Sequence, residues 1–232
     1  MPPLANPPAT PPTAALADAS LRLGLPVQLA PVSLASLARG RIVSGRAAPV
    51  THLGSVDVIL EAIDDASEGA VLVVDNGGRD DEACVGDLIV LEAATAGLAA
   101  AVIWGRHRDE AQLREIGLPV WSRGAHPFGP RRVPPAGRAM RSAMLDGVAV
   151  SADDWIAADD DGVLVFAAAH LDALTATAAE IVRTEAAQAE RMRAGDSLRA
   201  QLDFAGYRSR QAADPDLTLR RYLTERGGAI EV

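Results

Sequence analysis

Two short runs of almost unbroken apolar residues limit what this chain can fold into. Ala70-Val71-Leu72-Val73-Val74-Asp75 and Ala99-Ala100-Ala101-Val102-Ile103-Trp104 are too short for helices and too apolar for strands with one wet face. Such runs mark strands covered on both sides. Between them, Asn76-Gly77-Gly78 turns the chain and residues 87–97 form a helical stretch of small residues. A strand, a turn into a helix, a second strand and a second turn bring both following loops to one edge of a sheet.

The rest of the chain extends this pattern. A helix is predicted from Thr13 to a stop at Gly24, and a strand with a glycine interruption over 41–50. A helix capped by Ser55 runs over Val58, Ile59, Leu60 and Ile63 to near Gly69. A short helix over 109–116 ends at Gly117, and Pro119-Val120-Trp121-Ser122 reads as a strand. Residues 123–138 form a long irregular connection. Met144–Val150 and Trp155–Ala158 read as strands, and Asp159-Asp160-Asp161-Gly162 turns the chain into Val163-Leu164-Val165-Phe166 as a hairpin. A long helix follows over about 170–194. The fold class is α/β with a mixed central sheet, because hairpins accompany the crossovers. Six of the first twelve residues are proline, so 1–12 is read as a disordered leader, 13–195 as the body, and 196–232 as a helical C-terminal extension.

All 22 basic residues are arginine. Without a lysine amine, Schiff-base and pyridoxal-phosphate enzymes and the Walker phosphate loop are excluded. Chemistry beside a carbonyl then needs a metal or an arginine as electron sink. A net charge of −9 with scattered arginines argues against a nucleic-acid partner. No apolar run reaches the roughly 18–20 residues of a membrane span, and the start lacks the features of a signal peptide. The single cysteine, Cys84, excludes an intrachain disulfide and points to a reducing cytoplasm.

The candidate site is Gly86-Asp87-Leu88-Ile89 followed, beyond the second apolar run, by Arg108-Asp109. Together these supply a fixed cation, a carboxylate able to hold a metal and the free amides of a helix start, a set suited to a small anionic substrate. Each residue also has a plainer role. Asp87 could cap its helix through the amide of Ile89 or Val90, Asp109-Glu110-Ala111-Gln112 has capping-box spacing, and Arg108 could be a surface charge. His107 reads as a supporting donor or an exposed loop histidine, and His126 as a loop residue that could reach a leaving group. Cys84 reads as a small buried residue rather than a nucleophile. His52 and His170 have no metal-ligand spacing to a partner.

Gly-Asp-x-(Leu-like), with Arg-Asp following twenty residues after its Asp, resembles the class II pyruvate aldolases of the 4-hydroxy-4-methyl-2-oxoglutarate aldolase type, which share a fold with the regulator of ribonuclease activity A (RraA-like proteins). Pro119-Val120, Asp159-Asp160-Asp161-Gly162-Val163 and a long helix containing Glu185 add to the likeness, which covers about 13–195. The resemblance implies a swivelling β/β/α domain assembled as a homotrimer or hexamer, with the site between subunits. It implies that the amides around Leu88 and Ile89 bind the substrate carboxylate, and that Arg108 pairs with the keto or enolate oxygen. Asp109 would hold Mg²⁺ or Mn²⁺, Glu185 would reach a metal-bound water of a neighbouring subunit, and Asp87 would orient a water. The implied reaction is metal-dependent cleavage of 4-hydroxy-2-oxo diacids to pyruvate, with oxaloacetate decarboxylation through the same enolate. One position departs from the pattern: Trp104 stands where such proteins commonly carry Asp. The competing function is a non-catalytic, protein-binding regulator of the ribonuclease-regulator branch. A methyltransferase ranks last, because no Gly-rich cofactor loop of the right spacing follows a strand.

Overall fold

The computed structural model describes residues 10–132 and 141–227. Of the expected leader, 1–9 lie outside the described residues, as do 133–138 of the irregular connection and 228–232 of the tail. The elements run α1 (Thr13–Leu23), β1 (Gln28–Leu29), β2 (Ala35–Ser36), β3 (Val43–Thr51), α2 (Asp57–Asp64), β4 (Val71–Asp75), β5 (Ala83–Val85), α3 (Asp87–Thr95), β6 (Ala100–Trp104) and β7 (Arg106–His107). They continue with α4 (Glu110–Ile116), β8 (Val120–Ser122), β9 (Ala143–Leu145), β10 (Val148–Val150), β11 (Asp154–Ala158), β12 (Val163–Ala167), α5 (Leu171–Arg193), α6 (Leu198–Gln201), α7 (Phe204–Ala213) and α8 (Leu219–Glu225).

The two apolar runs become β4 and β6, adjacent and parallel at the centre of a curled mixed sheet ordered β1-β12-β11-β3-β4-β6-β8-β2. The β3-β4, β4-β6 and β6-β8 pairs are parallel, and the flanking pairs are antiparallel. Strand β4 shows why its sequence lacks alternation. Val71 and Val73 face a core with Val102, Trp121, Ile156 and Val165, while Leu72 and Val74 face a second core with Ile59, Val90 and Leu113. Helices α2, α3 and α4 cover that second face, so both sides of the pleat are dry. This is the mixed α/β architecture that the resemblance implies.

Local details depart from the sequence reading for physical reasons. The glycine interruption in β3 is a close approach, since a methyl at Gly45 would stand 2.1 Å from the Gly69 carbonyl oxygen. Residues 144–150 are not one strand: Asp146 and Gly147, at φ 50° and 92°, turn the chain into the β9-β10 hairpin. Helix α2 is capped at Val56 rather than Ser55 and stops at Asp64, while Ser55 bonds the Asp57 carboxylate. The strands β1, β2, β5 and β7 are two or three residues long and carry no readable period.

Two compact units divide within α5, at Ala176 and Thr177. The second unit has its own small core of Tyr207, Leu217, Tyr222 and Leu223, and the Tyr222 hydroxyl donates to Asp203 at 2.6 Å. Among the described residues no helix is long and apolar enough to cross a membrane.

Asp159, first met as a hairpin-turn residue, does more than turn the chain. Its buried carboxylate accepts the Thr13 amide at 2.7 Å and the Thr13 hydroxyl at 2.6 Å, taking the place of a local cap at the start of α1. Its carbonyl accepts the Trp121 indole N–H at 2.9 Å. Truncating it strands two buried donors, so Asp159→Ala lowers unfolding free energy by roughly 2–4 kcal/mol in urea titration. A loss under about 0.5 kcal/mol, the level of an exposed turn residue, contradicts this role.

Candidate active site

The site is built on a short ladder outside the main sheet. Strands β5 and β7 pair in parallel, with Ala83 opposite Arg106 and Val85 opposite His107 across a bulge. The Arg108 amide then donates to the Val85 carbonyl at 3.0 Å. The residues that follow each strand, Gly86 on one side and Arg108-Asp109 on the other, therefore lie together. A methyl at Gly86 would stand 2.7 Å from Asp109 Oδ2 and 3.1 Å from Arg108 Nε. The backbone there is extended (φ −130°), so glycine is required for space and not for conformation.

The two plainer capping roles are not realised. Gly86 is the N-cap of α3, and the Asp87 carboxylate accepts the next amide, Leu88 N–H, at 2.8 Å. Val90 N–H makes the first intrahelical backbone bond, to Gly86, so the amides of residues 87–89 have no backbone partner in the helix; carboxylates of Asp109 and Asp87 face the first two, and the Ile89 amide is left open. Asp109 is the N-cap of α4 but makes no side-chain cap, so the capping-box spacing to Gln112 goes unused, and Glu110 bonds Arg114 at 2.6 Å. Asp109 sits in the left-handed region (φ 62°, ψ 42°), a conformation that costs a non-glycine residue about 1–3 kcal/mol. Its Oδ2 lies 3.2 Å from Arg108 Nε and 3.4 Å from the Asp87 amide. Both side chains of the Arg108-Asp109 pair are partly exposed, so the pair contributes little to stability. Asp146 and Asp203 share this conformation at a hairpin turn and a helix cap, so at Asp109 it marks a constrained turn that sets the carboxylate beside Arg108.

Neighbouring residues hold this geometry. His107 is buried, not exposed: its Nδ1 meets Ser122 Oγ at 2.7 Å and its Nε2 faces Glu110 at 3.8 Å. Its amide donates to Gly124 and its carbonyl accepts from His126, which ties the following loop to β7. That loop folds back over Arg108. Phe128 accepts the Ala83 amide at 2.7 Å, and a methyl at Gly129 would stand 3.0 Å from Arg108 Nη1. The loop's far end is held where Arg132 bonds the buried Glu82 at 3.0 Å and Asn76 at 2.8 Å, with His52 Nδ1 on the same Asn76 oxygen at 2.9 Å. Asp80 joins Arg106 (2.9 Å) and Arg123 (3.1 Å), and Arg123 also lies over the Trp104 ring at 5.1 Å. Gly129, Glu82, Arg132, Asp80 and Arg123 carry no spacing signal in the sequence. A conserved-looking motif could not have led to them, because they converge only through the fold.

Burial pushes the Cys84 thiol up to about 12, which leaves it unreactive. His126 engages its own loop through Phe128. Glu185 is exposed on α5 in the second unit.

No group of three or more His, Cys, Asp or Glu residues is placed to hold a metal among the described residues. A metal at Asp109 would then have that single carboxylate as its donor from one chain. That fits a hard divalent ion such as Mg²⁺ or Mn²⁺, which keeps several waters, and does not fit a closed N/S zinc site.

With this geometry in hand, a family model described as RraA-like (Aldolase/RraA) matches residues 13–165. A protein of Alkalilimnicola ehrlichii, provisionally named 4-hydroxy-4-methyl-2-oxoglutarate aldolase, is 35% identical over 107 residues, 46% of this chain and 66% of the relative. This chain therefore spans just under two thirds of that relative's length. Among solved structures, an uncharacterized protein of Pseudomonas syringae pv. tomato str. DC3000 superposes with a TM-score of 0.71 at 26% identity, covering 81% of this chain and 90% of that one. A Streptomyces coelicolor protein described as an unusual member of the RNase ES inhibitor RraA family gives 0.64 at 25% identity, covering 74% and 88%.

The buried network beneath the site has a pH signature. Burial lowers the His52 pKa below 6.5 despite its bond to Asn76, and burial likewise lowers that of His107. The unfolded chain then binds protons first, so stability is lost as pH falls through about 6.5. The melting temperature falls between pH 7.5 and 5.5, and falls less in His52→Gln. Equal slopes for the two proteins rule out His52 as a contributor.

Proposed function

Because the chain belongs to the RraA-like aldolase family, we propose that it is a divalent-metal-dependent carbon–carbon lyase that releases pyruvate from short 4-hydroxy-2-oxo diacids and decarboxylates oxaloacetate. The observation that carries this reading is the meeting of Arg108, Asp109 and the first turn of α3 around Gly86. The substrate carboxylate takes the amide of Ile89 and, by displacing the Asp87 carboxylate, that of Leu88, where helix-end N–H groups favour an anion. Arg108 donates to the 2-keto oxygen and holds the charge that grows there as the carbon–carbon bond breaks. Asp109 would hold Mg²⁺ or Mn²⁺, and a bound hard cation supplies Lewis-acid polarisation of the keto group. Asp87, half-buried beside them, orients a water that takes the C4-hydroxyl proton as the C3–C4 bond breaks to leave a carbonyl, and returns a proton to the enolate carbon. Glu185 of a neighbouring subunit is assigned to a water of the same site, in a homotrimer or hexamer. The absence of lysine supports the metal route over a Schiff base.

A protein-binding regulator is the second reading, favoured by the likeness to the RNase ES inhibitor family member. The presence of Asp109 with its carboxylate beside the Arg108 guanidinium and the start of α3 weighs against it.

Pyruvate release from oxaloacetate, corrected for the metal-only blank, separates the readings. The expected result is turnover that requires Mg²⁺, is lost on chelation and returns on re-addition. Arg108→Ala reduces kcat by about 100-fold or more. Gly86→Ala keeps the fold, because the atoms it meets are movable side-chain ends, yet lowers kcat/KM by displacing them. Absence of metal-dependent release from the parent protein, or no effect of Arg108→Ala, would falsify the lyase reading.

A further inference from the structure

The segment 126–132, which backs Arg108, is tied down at both ends. The His126 amide donates to the His107 carbonyl, and the Ala83 amide to the Phe128 carbonyl, each at 2.7 Å. Gly129 then lies against Arg108, since a methyl on it would stand 3.0 Å from Nη1. Three residues on, Arg132 closes the segment onto Glu82, the neighbour of Ala83, through Nε at 3.0 Å and through Nη2. Glu82 is only 5% exposed, a burial that carboxylates seldom reach unless paired. The turn after β3 presses on the same place, where a methyl at Gly54 would stand 2.9 Å from the Arg132 carbonyl oxygen.

His52 opens that turn and faces the pair. Arg132 Nη2 donates to Asn76 Oδ1 at 2.8 Å, and His52 Nδ1 lies 2.9 Å from the same oxygen. Both must donate to it, so the one proton of neutral His52 sits on Nδ1. Its Nε2 is buried and has no hydrogen-bond partner among the described residues. A second proton there sets a cation 3.5 Å from the Arg132 guanidinium. The charged groups around His52 are Arg132, Glu82 and Asp57. Glu82 is already shared by Arg132 and Arg79 (3.6 Å), and Asp57 is exposed, so no free buried anion offsets the added charge.

We propose that the Glu82–Arg132 pair is a latch that positions Arg108, and that protonation of His52 opens it, so that the site is switched off in acid. This rests on Arg108 as the group that engages the keto oxygen, and adds the regulation of that same site. Glu82 and Arg132 are positioning residues, acting only through the segment between them and Gly129. With the latch open, Arg108 loses its backing and keeps one weak partner, Asp109. A displacement of about 1 Å at such a group is enough to cost up to about 100-fold in rate.

The test pairs oxaloacetate turnover by the Mg²⁺-loaded full chain with hydrogen exchange at the Ala83 amide, which reports closure of the segment without substrate. Glu82→Gln keeps the shape of the side chain and removes its charge. It is expected to speed Ala83 exchange by about 10-fold or more and to lower kcat by about 10-fold. Arg132→Lys loses less than Arg132→Gln, because a charge returns without the fork geometry. In the parent protein kcat falls and Ala83 exchange, corrected for its intrinsic pH dependence, rises as pH drops from about 8 to about 5.5. In His52→Gln, which keeps an uncharged donor for Asn76, the acid loss of kcat shrinks by about 3-fold or more. A purely structural role would lower the melting temperature and leave this acid limb where it is. If Glu82→Gln speeds exchange without lowering kcat, the positioning role is overturned and the Arg108 reading stands. Unchanged exchange in Glu82→Gln overturns the latch, and an acid limb in His52→Gln equal to the parent's overturns the switch. If exchange responds as stated but the parent shows no Mg²⁺-dependent turnover, the lyase reading fails and the latch stands.

Discussion

One backbone hydrogen bond, from the Arg108 amide to the Val85 carbonyl at 3.0 Å, joins the two halves of the site. It closes a ladder of three residues against two, which would not survive alone. The ladder persists because Ala83, Cys84 and Val85 are wholly buried, with Cys84 and Val85 in the helix-covered core beside Val90 and Leu113. Stability of the site thus comes from packing beneath it. The same support allows Asp109 to remain in a left-handed conformation that its own ion pair is too exposed to enforce.

The parts of the fold visible in the sequence are those with a long period or an obligatory punctuation residue. β4 and β6 announced themselves as unbroken apolar runs, and Gly24 and Gly117 ended α1 and α4 in the left-handed conformation that favours glycine. β5 and β7 stayed hidden because three apolar residues and an Arg-His pair have no period at all. The Asp146-Gly147 turn was signalled by its residue types and overlooked, since the flanking residues 144–150 read as one strand. His107 reads as either a supporting donor or an exposed loop histidine because its neighbours are arginines; Ser122, fifteen residues on, supplies the partner that keeps it inside. Convergence of Gly86 with Arg108-Asp109 was foreseeable from spacing. The Glu82-Arg132-Asn76-His52 network was not, because its members meet only in three dimensions.

A chain whose cations are all arginine handles charge in one way. Guanidinium groups are permanently ionised and planar, so each needs a carboxylate, a carbonyl or an aromatic face. Around this site Asp80 serves two of them, and Asn76 joins Glu82 in satisfying Arg132. The outcome is a rigid frame of paired charges in which Arg108 is held by only one weak partner. Such a group is free to exchange that partner for an incoming oxygen anion, which a fully neutralised arginine could not do at similar cost.

Trp104 tests how far the family pattern can be carried over. The indole takes Arg123 across its ring at 5.1 Å. Gly78 accommodates the exchange, because a methyl on it would stand 2.7 Å from the indole carbons, and its φ of 62° suits glycine. Asp80, 3.1 Å from Arg123, supplies the missing anion from the adjacent loop. Arg123 is therefore balanced by an acid on the loop and by an aromatic face at the strand end. The indole is part of the packed frame, anchoring the start of the loop that reaches Gly129.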